Sequence, residues 1–67
     1  MMKVLHNRLK KVRLKCCLSQ EELAARVGLS RNSISSIETG QCCPSAYTAA
    51  LICQVLRCKF EDIFYIR

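Results

Sequence analysis

The chain lacks any apolar run near the roughly 18 residues that a membrane span requires, and nothing at its start reads as an apolar leader followed by a small-residue cleavage site. A cytoplasmic protein with no membrane partner is the expectation. Internal repeats and low-complexity segments are missing, as is the apolar–polar alternation that marks strands. Material for enzyme chemistry is equally short. No motif holds an acid, a base and a nucleophile together, and the acids Glu21, Glu22, Glu61 and Asp62 are accounted for by helix N-termini. The single histidine, His6, has no second imidazole to share a metal, and the C-x-x-C spacing of structural zinc sites is absent. No cofactor is therefore expected.

What is present fits one domain over 67 residues. A core of that size supplies only about 3–5 kcal/mol, so a disulfide, metal or partner subunit is a natural complement. The formal net charge is +6, and all of the excess lies in the first half. Lys3, Arg8, Lys10, Lys11, Arg13, Lys15, Arg26 and Arg31 face only Glu21 and Glu22 there, whereas the second half is balanced. A one-sided basic surface attracts polyanions, most often nucleic acid; a merely solvated basic helix is the plainer alternative.

Helical spacing is the dominant pattern. Leu5, Leu9 and Val12 predict a first helix over about His6 to Lys15. Ser19-Gln20-Glu21-Glu22 is a capping box that starts a second helix, with Leu18 placed to staple against Leu23 and Gly28 as a left-handed stop. Ser30 caps a third helix over about Arg31 to Thr39, ended by Gly40, and Ser45 caps a fourth from Ala46 to about Leu56. A short fifth helix covers about Phe60 to Phe64. The fold class is thus all-α with five helices. Helices two and three, joined by Gly28 and Leu29, have the tight connection that sets a second helix steeply enough to enter a major groove. Ile34 and Ile37 face inward, which leaves Arg31, Asn32, Ser33, Ser35 and Ser36 as an outward polar face almost free of acids.

Leu18-Ser19-Gln20-Glu21-Glu22-Leu23-Ala24, then Val27-Gly28-Leu29-Ser30, then Ile34-Ser35-Ser36-Ile37-Glu38-Thr39-Gly40 resembles the Cro/repressor-type (Xre-like) helix-turn-helix family. Pro44-Ser45, the apolar helix after it and Glu61-Asp62-Ile63-Phe64 extend the similarity over nearly the whole chain. The resemblance implies a five-helix, lambda-repressor-like domain with its helix-turn-helix at about 19–39, acting as a transcriptional regulator, by expectation a repressor, on double-stranded DNA. By the same resemblance, Gln20 matches a residue that binds a backbone phosphate. Arg31, Asn32 and Ser36 match positions that reach base edges, and Arg13 matches a residue paired inside the fold with the acid at Glu38. Ser33 and the loop amides around Gln41, Cys42 and Cys43 are candidates for further phosphates. For Arg8, Lys10 and Lys11, phosphate contact and simple solubility stand side by side.

The fourth helix is apolar nearly all round, which predicts burial on more than one side. A homodimer interface over about 47–67, built from Tyr47, Leu51, Val55, Phe60, Tyr65 and Ile66, is expected to match a palindromic operator, with a larger core as the alternative. Cys53 and Cys58 stand where the family has small or branched apolar residues and are expected to be buried and quiet. Cys17 stands where it commonly has glycine, which implies positive φ; Arg57 departs likewise from a usual glycine and Lys59 replaces its usual hydroxyl cap, which leaves the exact ends of the fourth and fifth helices open. The vicinal pairs Cys16-Cys17 and Cys42-Cys43 leave open a soft-metal, arsenite or redox response, or disulfides. An antitoxin-like module whose apolar face binds an unrelated protein is the competing reading.

Overall fold

The computed structural model describes residues 3–67. Five helices follow one another as α1 (Leu9–Lys15), α2 (Gln20–Val27), α3 (Arg31–Glu38), α4 (Ala46–Leu56) and α5 (Phe60–Ile63), and two short strands, β1 (Leu5–Asn7) and β2 (Phe64–Ile66), bracket them. Most helix ends are made locally. The Ser19 hydroxyl accepts from the Glu22 amide at 3.0 Å while the Glu22 carboxylate accepts from the Ser19 amide at 2.9 Å. The bond from the Ser19 amide, and then the nearby Ser19 hydroxyl, hold the Glu22 carboxyl below its ordinary pKa, because both favour its charged form. Ser30 and Ser45 cap α3 and α4 in the same way, each accepting from the amide three residues on. Gly28 turns the chain out of α2 at φ 72°, a conformation a side chain would resist.

Leu9, Leu23, Ile34, Ile52, Ile63 and Phe64 form the centre of one core, so every helix contributes and β2 closes it. The first helix is shorter than the periodicity predicts. His6 and Asn7 lie in β1, which pairs antiparallel with β2 in the register Leu5↔Ile66, His6↔Tyr65 and Asn7↔Phe64. The Asn7 side chain accepts from the Leu9 amide at 3.1 Å, so the helix can begin only after it. Likewise Phe64 leaves α5 to start β2, and Thr39 is the cap of α3 instead of its last turn. The five-helix class holds, with a two-stranded sheet added to it.

Two side chains occupy the left-handed region, Cys17 at φ 58° and Arg57 at φ 54°. Both are exposed, so each pays a backbone cost of about 1 kcal/mol without a buried contact in return. Cys17→Gly and Arg57→Gly should each stabilise the domain by about 0.5–1 kcal/mol, read as a rise of about 3–6 °C in thermal midpoint. A fall in midpoint would show that these side chains hold something the backbone does not reveal. Lys59 offers α5 no side-chain acceptor, and the helix is capped from the other side, the Lys59 amide donating to Asp62 at 2.9 Å.

Candidate nucleic-acid interface

The outward face of α3 starts from its anchoring. Ile34 and Ile37 are buried, which fixes the rotation of the helix and turns Arg31 and Asn32 to solvent, with Ser33, Ser35 and Ser36 half-buried along the same flank. Glu38 at its end is held by three donors' worth of contacts from two other helices. The Arg13 Nε donates to Glu38 Oε2 at 2.6 Å, Arg13 Nη2 to Oε1 at 3.3 Å, and Gln20 Nε2 to Oε1 at 3.0 Å. Arg13 Nη1 also donates to the Leu18 carbonyl at 2.8 Å. The pair is nearly sealed from water, with side-chain exposures of 7% and 4%. At the same end, the Asn7 amide donates to the Ile37 carbonyl at 2.8 Å, so α3 is tied to α1, α2 and β1.

At the other end of α3, Arg31 lines a polar cleft with Lys10, Ser19 and Gln20. The fold thereby brings one candidate base-reading residue and two candidate phosphate residues together. Charge around this region is mostly positive, with Glu21 the one acid lining the cleft. Every Lys and Arg other than Arg13 is exposed, and Arg13–Glu38 is the one ion pair among the described residues. Lys11 is exposed on α1 near Lys10, while Arg8 lies over the Tyr65 ring, 4.5 Å from its centroid.

The loop after α3 differs from expectation. The Gln41 and Cys42 amides donate to the Ser36 carbonyl at 2.9 and 3.1 Å, so they close the helix and are not free for phosphates; only the side chains of these two residues face solvent. The Ser33 hydroxyl shares a 3.0 Å bond with Ser30. Sequence reasoning missed the Gln20–Glu38 bond and the whole role of Asn7, and no local pattern signals either, since the partners lie 18 and 30 residues apart.

The apolar candidates divide. Tyr47, Phe60 and Ile66 are exposed, Leu51 and Val55 are half-buried against the core, and Tyr65 is largely occupied within the chain by Arg8, His6 and Arg67. Tyr47, Ala50, Leu51, Cys53 and Phe60 line an open groove of about 1040 Å³ along α4 and α5. Cys53 and Cys58 are half-buried and not fully buried as expected. Burial, then Asp62 and Glu61, push the Cys53 thiol up; burial, then Cys53, Asp62 and Cys16, do the same for Cys58. A raised thiol pKa means that the stability these groups contribute is whole below the ordinary thiol range and is lost as pH climbs through their folded values. Cys16, Cys17, Cys42 and Cys43 are exposed and free. Iodoacetamide at neutral pH should therefore label those four well before Cys53 and Cys58, as followed by peptide mass; equal rates would contradict it. Among the described residues no three His, Cys, Asp or Glu converge as metal ligands, and no helix is long and apolar enough to cross a membrane.

Residues 9–63 match the family model described as helix-turn-helix. Over 60 residues the chain is 37% identical to the uncharacterised HTH-type transcriptional regulator YgzD of Bacillus subtilis, covering 90% of this chain and 91% of that one. It is 43% identical over 58 residues to an HTH-type transcriptional regulator of Methanocaldococcus jannaschii, covering 87% and 88%. The restriction-modification controller protein C.AhdI of Aeromonas hydrophila superposes with a TM-score of 0.77 at 31% identity, over 82% of this chain and 83% of that chain. A Bacteroides fragilis protein shares the fold at a TM-score of 0.85 and 22% identity, over 92% and 100%. With the family match running from the first residue of α1 to the last of α5, the chain belongs to the Cro/repressor-type helix-turn-helix family of DNA-binding transcriptional regulators, a family without enzymatic activity.

Proposed function

We propose that the protein is an operator-specific repressor that binds palindromic double-stranded DNA as a homodimer, with α3 in the major groove. The observation that carries this reading is the outward flank of α3: Arg31 and Asn32 exposed at its leading end, Arg31 lining one cleft with Lys10 and Gln20, on a helix clamped at its far end by Arg13, Gln20 and Asn7. Arg31 pairs with the O6 and N7 of guanine, Asn32 with the N6 and N7 of adenine, and Ser36 reads a base edge further along. Lys10, Lys11, Gln20 and Ser33 hold phosphates, as free amides at the start of α2 already favour an anion there.

The groove along α4 and α5 supports the dimer. Tyr47 is 74% exposed and Phe60 50% exposed beside it, an arrangement that a lone small domain gains nothing from. A second copy seated there buries both rings, and Leu51 with them, while Val55 and Tyr65 serve the chain's own packing. Two-fold symmetry then sets the recognition helices about 34 Å apart, one turn of duplex.

Selection of bound sequences from random duplex DNA tests the reading, together with sedimentation of the free protein. The expected result is an inverted repeat and a dimeric mass that Tyr47→Glu reduces to a monomer. Recovery of no preferred sequence would overturn operator recognition. A monomeric mass with a single, non-repeated site would overturn the dimer and assign the groove to a different protein.

A further inference from the structure

Strands β1 and β2 lie outside the segment 9–63 that matches the family, and their outer face carries chemistry that the helix-turn-helix does not use. Register and pleat put His6 beside Tyr65 and Val4 beside Arg67 on that face, while Leu5 and Phe64 turn to the core. The Tyr65 ring is a brace for cations. Arg8 lies 4.5 Å from its centroid, Arg67 lies 5.5 Å from it, and the His6 ring stacks on it at 5.5 Å and 20°.

Neither guanidinium has a carboxylate partner among the described residues. Arg8 is also the cap residue of α1, with Lys10 just inside and no acid in the first turn, which sets cations against the positive end of the helix dipole. Folding by itself gains little from such a gathering of like charges, whereas an external polyanion gains from all of them. Stacking on the ring also limits the rotamers of both arginines before any partner arrives, which lowers the entropy lost on binding. The sheet adjoins the DNA-reading element as well: His6 and Asn7 line a cleft with Thr39 and Gly40, and Lys3 lines a second with Gly40 and the Cys42-Cys43 loop.

We propose that the outer face of the β1–β2 sheet, with Arg8 and Arg67 braced on Tyr65, is a second DNA contact that takes backbone phosphates beyond the base pairs read by α3. The proposal rests on the operator-binding reading above. It makes the sheet a sequence-independent extension of the footprint, supplied by the two segments that flank the family core.

The test compares wild type with Arg8→Gln/Arg67→Gln on the selected duplex, in a short form limited to the inverted repeat and a form extended by about one helical turn at each end. Binding is measured across a salt series, and thermal midpoints are recorded for both proteins. Each lost phosphate contact flattens the log–log salt dependence by about 0.9, so with two arginines lost from each protomer of the dimer the expected change is about 3.6 on the extended duplex, with little change on the short one. Arg8→Lys/Arg67→Lys, which keeps the charge, should restore most of the slope. If the slope on the extended duplex is unchanged, or only the thermal midpoint falls, the arginines are a structural clasp and the proposal is overturned. Arg67→Gln alone keeps the test open if the double variant does not fold. Arg31→Ala run in parallel separates the two failures: loss of its base preference alongside an unchanged Arg8/Arg67 slope sinks the sheet contact and leaves the operator reading intact.

Discussion

Replacing Arg31 or Asn32 by alanine should cost about 1–3 kcal/mol of discrimination at particular base pairs, a loss of roughly 5- to 150-fold in preference for the selected base. Both side chains are exposed on a helix whose rotation is set by buried Ile34 and Ile37, so their removal leaves the fold alone and thermal midpoints should barely move. The Gln20→Ala variant behaves differently. It weakens binding on all sequences alike and also removes one of the donors to Glu38, so a modest loss of stability accompanies it. Repeating the selection from random duplexes with each variant reads these outcomes directly. An unaltered preference in both the Arg31 and Asn32 variants would mean that α3 is not the reading element.

Loss of Glu38 should be the most damaging single change. Its side chain is 4% exposed and neutralises Arg13, itself 7% exposed at the side chain, so Glu38→Ala leaves an unpaired guanidinium in the core. Breaking a buried pair from one side costs about 3–5 kcal/mol, which is as much as a core of this size supplies. The variant should be largely unfolded by circular dichroism at 25 °C, or fold only when bound to DNA. Arg13→Met/Glu38→Leu removes both charges and should recover most of the lost stability, because no buried charge remains to be desolvated. That double variant should still bind DNA less well, since Gln20 no longer has the Glu38 oxygen that holds its side chain in place. A Glu38→Ala protein as stable as the parent would show the pair to be surplus to the fold.

The parts of the structure that were readable in advance share one property, which is that their causes lie within a few residues. Ser19 and Glu22 are three apart and cap α2 as their spacing predicts; Gly28 adopts the positive φ that the connection to α3 needs; Cys17 occupies the left-handed conformation implied by the glycine it replaces. The core stripe of α4 through Ala49, Ile52 and Leu56 follows in the same way from helical period. What escaped prediction is non-local. His6 reads as part of a helix because Leu5, Leu9 and Val12 have the right period, yet its partner is Tyr65, at the far end of the chain. Three-residue strands are too short to show alternation, so only their pairing reveals them. Gln41 and Cys42 failed as amide donors to phosphate for a related reason: the Ser36 carbonyl that occupies both is a product of how α3 ends.

The order of the amino acids by itself set where four of the five helices start, which turn joins α2 to α3, and which polar flank α3 shows to solvent, because caps, turns and amphipathic faces are settled by interactions within one or two helical turns. Tertiary structure alone decided that Asn7 and Gln20 brace α3, that Arg8 lies over the Tyr65 ring, and that the two ends of the described chain meet in a sheet. Those contacts join residues 18 to 61 positions apart, and such pairs acquire an energy only once the core has closed and brought them within reach of one another.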